Sequence, residues 1–84
     1  MVIYFTKYAK DKFGILADHR CAVERARVEE AVKAPDFTDD SKAPLFSAQK
    51  DFDEKRILKV VYKKETGAVK IITFYPSFKE NGRE

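Results

Sequence analysis

An α+β fold, two helices near the N-terminus packed on a small antiparallel β-sheet, is what this chain of 84 residues predicts. Three observations carry it. A β-branched and aromatic start is followed at once by a helix-capping residue. Residues 18–32 then repeat apolar side chains at helical spacing. Residues 56–75 read as two strands joined by a glycine turn.

Val2, Ile3, Tyr4, Phe5 and Thr6 read as a short first strand. Thr6 is placed to cap a helix, its hydroxyl accepting an early helical N–H. That helix presents Tyr8, Ala9, Lys12, Phe13 and Leu16 on one side, and Gly14 weakens it to the point where a break is expected. Asp18 is a second N-cap candidate, after which Cys21, Ala22, Arg25, Val28, Ala31 and Val32 form a narrow stripe. Glu29 stands four residues before Lys33, the favourable order for a helical ion pair. Pro35 ends this helix by disfavouring helical geometry at Ala34.

Residues 36–44 are acidic and turn-rich and read as a loop; Leu45, Phe46, Ser47, Ala48 and Gln49 read as a strand. Residues 51–55 form a connection. Strands follow at 56–63 and 68–75, with Gly67 free to take positive φ in the turn between them. On the first, Leu58, Val60 and Tyr62 share one face, and Ile57, Lys59, Val61 and Lys63 the other. A three-residue loop sets Val60 near Ile72, and a four-residue loop sets it near Ile71. The two registers exchange the faces of the second strand, and both remain open. Pro76 is expected to stop that strand, leaving residues 77–84 as a frayed tail of one domain spanning 1–84.

Composition limits the function classes. Seven Phe and four Tyr in a chain 44% hydrophobic argue against disorder. Apolar runs are far shorter than the roughly 20 residues of a membrane span, no signal peptide is read, and one cysteine permits no internal disulfide. A soluble protein of the reducing cytoplasm is the expectation. One His and one Cys make a metal site improbable, and no glycine-rich phosphate loop or hydrolase motif is present, so neither metal nor cofactor is expected.

Net charge is +3, distributed as +2 over residues 1–34, −4 over 35–54 and +5 over 55–84. A basic C-terminal block attracts polyanions, although lysine-rich strands also serve simply to stay soluble. Tyr62, Phe74, Tyr75 and Phe78 interleave with Lys59, Lys63, Lys70 and Lys79. Such rings stack on bases while cations hold phosphates, or else they are core rings; the pattern fits both. His19 titrates in the range of a general base but also reads as a surface group at a helix start. Cys21, on the helical stripe, reads as core, and the adjacent Asp39 and Asp40 as a solvated turn.

The order of elements resembles a large bacterial and archaeal domain family placed with the RelE/BrnT-type toxins of toxin–antitoxin pairs. The resemblance lies in Thr6-Lys7-Tyr8-Ala9 opening a helix and in Ala34-Pro35-Asp36 closing the second. It continues in residues 56–62 and in Ile71-Ile72-Thr73-Phe74-Tyr75. It implies a RelE/BrnT-like fold and metal-independent RNA cleavage, in which a ribose 2′-OH attacks the neighbouring phosphate. Tyr8 falls where the family often has His, and Lys12 where it has Arg. Arg56 matches the Arg opening the strand, and Thr73 and Tyr75 match the polar pair on the last strand.

The expected catalytic set is therefore Arg56, Tyr75, Tyr8 and His19, with Lys12, Lys59, Lys63, Lys70 and Thr73 contacting RNA. Arg56 and Lys59 would hold phosphate, and Tyr75 would stack or donate a proton. The expected partners are RNA or the ribosome, a small antitoxin protein, and a second copy of the chain; no membrane partner is expected. The alternative is a non-catalytic domain that binds a protein or nucleic acid through its basic sheet.

Overall fold

The computed structural model describes residues 2–79. Its elements run β1 (Val2–Phe5), α1 (Lys7–Asp18), α2 (Arg25–Lys33), β2 (Phe37–Asp39), β3 (Leu45–Asp51), β4 (Arg56–Glu65) and β5 (Ala68–Phe78). The fold is α+β, two helices on a five-stranded sheet of order β1-β5-β4-β3-β2. The sheet is mixed rather than antiparallel, because β1 joins β5 in parallel, Val2 opposite Ala68 and Phe5 opposite Ile71.

Thr6 caps α1 as its position predicts, its hydroxyl accepting the Ala9 N–H at 3.1 Å. α1 continues through Gly14 and ends at Asp18, which is its last residue and not the cap of a second helix. The stop is a Schellman motif. The Cys21 N–H donates to Leu16 O at 2.9 Å and the Arg20 N–H to Ala17 O at 3.0 Å, with Arg20 left-handed at φ 58°. Residues 21–24 therefore belong to no helix or strand, α2 starts only at Arg25, and Cys21 sits half-buried in a loop instead of on a helical stripe. Within α2, Glu29 pairs with Arg25 one turn earlier, Nε to Oε2 at 3.0 Å, rather than with Lys33. The helix ends before Pro35, as predicted.

Residues 36–44 are not all loop, since Phe37–Asp39 add a three-residue edge strand to β3. The β4–β5 hairpin turns through Thr66 and Gly67 (φ 68°), with Glu65 opposite Ala68. Neither expected register holds. Val60 faces Phe74, because Tyr62 pairs with Ile71 and Val61 with Thr73, leaving Ile72 as the extra residue of a β-bulge. The bulge shifts the buried set of β5 from Val69 and Ile71 to Phe74. Pro76 does not stop β5 but pairs with Leu58, and Ser77 and Phe78 continue the strand. β1 reaches only to Ile71, so among the described residues no strand flanks β5 on its other side at Pro76, and a missing N–H is tolerated there. Lys79 N–H also donates to Lys55 O at 2.8 Å, so the expected fraying fails at 77–79; residues 80–84 lie outside the described residues.

One sheet face carries the core. Ala48, Val60, Ile71 and Phe74 are fully buried there with Leu58 and Tyr62, against Ala9 of α1 and Val28 and Ala31 of α2. The Phe13 ring centre lies 4.6 Å from that of Phe74, the two planes tilted by 46°, and Phe5 meets Phe74 edge-on at 6.5 Å. No helix among the described residues is long and apolar enough to cross a membrane.

Candidate nucleic-acid interface

Strand alternation sends the remaining residues of β3, β4 and β5 to the face opposite the core. The register aligns them in rows across the sheet. Phe37, Gln49, Lys59 and Tyr75 form one row; Asp39, Ser47, Val61 and Thr73 form the next; Lys63 and Lys70 stand opposite each other beyond it. A concavity of about 290 Å³ opens on this face, lined by Asp39, Lys42, Ser47, Gln49, Lys59 and Tyr75 among others. Four of the five expected RNA contacts, Lys59, Lys63, Lys70 and Thr73, thus share a surface with Tyr75.

Three cations on this face, Lys59, Lys63 and Lys70, are not spent on carboxylates: none of the ion pairs among the described residues engages them. At the rim, Asp51 is paired with Lys79, Nζ to Oδ1 at 2.6 Å. Asp39 accepts the Ser41 N–H at 2.9 Å, and that bond holds its carboxyl below the usual range, so it stays anionic. Thr73 contributes less than its position implies: Oγ1 is buried and has no hydrogen-bond partner among the described residues.

At the edge of β5, Lys12 of α1 brings two expected residues together. Its Nζ lies 5.6 Å from the centre of the Tyr8 ring and 6.0 Å from that of Tyr75. Tyr8 is 60% exposed, and Tyr75 is 39% exposed. His19 caps the far end of α1, its Nδ1 bonded to Ile15 O at 2.8 Å.

Arg56 stands apart from this surface. It lies on the same face of β4 as Leu58, at the end of the strand, where its side chain is held from three sides. Nε and Nη2 both donate to Asp53 Oδ2, at 2.9 and 2.7 Å, Nη1 donates to Cys21 Sγ, and the guanidinium lies 5.4 Å from the Phe52 ring. Asp53 Oδ1 accepts the backbone N–H groups of Lys55 and Arg56 at 2.9 and 2.7 Å. The Arg56 guanidinium, with those N–H groups, holds the Asp53 carboxyl below the usual range, and Asp53 raises Arg56 in turn. This cluster clamps the β3–β4 turn to the loop that carries Cys21.

Of the four aromatic residues that interleave with lysines, Tyr62 and Phe74 are core rings, and burial pushes the Tyr62 phenol above its ordinary range. Tyr75 and Phe78 are exposed. Sequence reasoning missed Phe37, which β2 delivers to the open face, 59% exposed. Its signal was a lone ring in an acidic stretch, where a three-residue strand leaves no periodicity to read.

Among the described residues no cluster of three or more His, Cys, Asp or Glu is placed to hold a metal ion. The chain matches no protein-family model, no curated protein and no solved structure.

Proposed function

We propose that this chain binds RNA through the helix-free face of its sheet. The observation that carries the reading is the set Lys59, Lys63 and Lys70, which share that face with the exposed ring of Tyr75 and form no ion pair among the described residues. Unpaired cations on a broad surface release counterions when they meet phosphates, and exposed rings accept bases. The concavity on this face, about 290 Å³, is at the small end of the range that encloses a metabolite.

Toxin-like cleavage is the stronger form of the same reading. Tyr75 and Lys59 are cross-strand partners, which is what supports it: a phenol to move a proton and an ammonium to hold the developing charge. Arg56 has no part in this version, since Asp53 and Cys21 occupy it on the other face. The test is incubation with total RNA in excess EDTA, comparing wild type with Lys59→Ala and Tyr75→Phe. Cleavage by the wild type and its loss in both variants supports a metal-independent ribonuclease. RNA that is bound but left intact supports a binding module alone.

A further inference from the structure

We infer that the open face takes single-stranded RNA, laid across the β-strands with bases stacked on Tyr75 and Phe37; this rests on the RNA-binding reading above. The two rings close the ends of one row, Phe37–Gln49–Lys59–Tyr75, which crosses four strands. Three strand spacings separate them, about 14 Å. Both are exposed, and Lys12 braces Tyr75 from the helix side.

Between the rings stand one cation, Lys59, and one amide, Gln49, and both line the concavity. Lys59 is placed for a phosphate, and Gln49 offers both a donor and an acceptor to a base edge. Asp39, two residues from Phe37 on the edge strand, repels phosphate at that end. Past Tyr75 the sugar–phosphate chain turns along β5 to the Lys63–Lys70 pair, about 13 Å from Lys59 along β4.

Only unpaired bases fit this arrangement. In a duplex the faces of the bases are stacked on one another, and a ring on a sheet cannot reach them. Duplex RNA meets the lysines but leaves Phe37 and Tyr75 unused.

Fluorescence anisotropy at low salt tests the idea, with a labelled 12-nucleotide oligouridylate as the single strand and its duplex with oligoadenylate as the comparison. The single strand is expected to bind at least tenfold tighter. Tyr75→Ala and Phe37→Ala should each weaken it roughly tenfold, with duplex binding unchanged. Tyr75→Phe should bind like the wild type, because stacking needs the ring and not the hydroxyl. Thermal melts of the variants identify any loss that comes from misfolding. Equal affinity for duplex and single strand, or alanine variants that bind the single strand normally, overturns the inference while leaving RNA binding standing. Absence of binding to either RNA overturns the RNA-binding reading itself. A wild type that is dimeric while both alanine variants are monomeric, with RNA affinity unchanged, makes the face a contact between copies and also overturns the inference.

Discussion

Arg56 and Lys59 stand three residues apart on β4 and carry their side chains on opposite faces of the sheet. Arg56 lies with Leu58 on the face that bears the helices, and Lys59 stands opposite Tyr75 on the face that does not. One phosphate cannot bridge them. The two residues therefore have separable effects. Arg56→Ala should melt several degrees lower, since it frees the Asp53 carboxylate and unclamps Cys21, yet bind RNA as the wild type does. Lys59→Ala should melt normally and bind RNA more weakly. Parallel thermal melts and binding titrations on the two variants check this.

The Asp53–Arg56 pair also sets an acid limit. Asp53 titrates below its ordinary value when folded, so its contribution to stability is fully present above the unfolded carboxyl pKa of about 3.9 and is lost as the pH falls through the folded value. Asp53→Asn keeps the oxygen that accepts the backbone N–H groups and replaces Oδ2, so it removes the charge together with the two hydrogen bonds from Arg56. The gap in Tm between wild type and Asp53→Asn should be constant from pH 7 to about 5 and shrink as the pH drops through about 4. A gap that persists unchanged at lower pH assigns the stabilisation to something other than the carboxylate charge.

Thr73 carries a buried hydroxyl with no partner among the described residues. Leaving such a group desolvated costs about 1–3 kcal/mol, and Val has the same shape without it. Thr73→Val should therefore be more stable, by about 1 kcal/mol, and keep full RNA affinity. Chemical denaturation read against the binding titration tests both halves.

Gly14 occupies an exposed position inside α1, and a methyl group added there meets nothing within 4 Å. Gly14→Ala should stabilise the fold by about 0.5–1 kcal/mol, a rise in Tm of about 2–8 °C for a domain of this size.

Much of this architecture was legible locally, and the reasons for the rest are specific. The Thr6 cap, the stop before Pro35 and the hairpin around Gly67 each depend on residues a few positions apart. The bulge did not show, because Ile71 and Ile72 are both apolar and either can be assigned inward; only the later burial of Phe74 marks the change of phase. The end of α1 was misplaced because Arg20 adopts the left-handed conformation that usually announces itself as glycine. The parallel pairing of β1 with β5 joins segments more than sixty residues apart, and no local pattern encodes it.

The candidate surface divided along the same line. Alternation along β4 already places Arg56 with Leu58, not with Lys59, so their separation was readable before any coordinates. The arrival of Phe37 on the open face was not, since it depends on a three-residue edge strand. Nor was the meeting of Tyr8, Lys12 and Tyr75, which needs α1 to lie along the edge of β5.

The most direct test of the central claim is the salt dependence of single-stranded RNA binding, measured for wild type, Lys59→Ala, Lys63→Ala and Lys70→Ala beside Arg56→Ala. If phosphates meet the helix-free face, each lysine variant flattens the slope of log affinity against log salt by about 0.7, and Arg56→Ala leaves it unchanged. A folded Arg56→Ala variant that loses the slope while the three lysine variants keep it would place the RNA on the other side of the sheet and contradict the account.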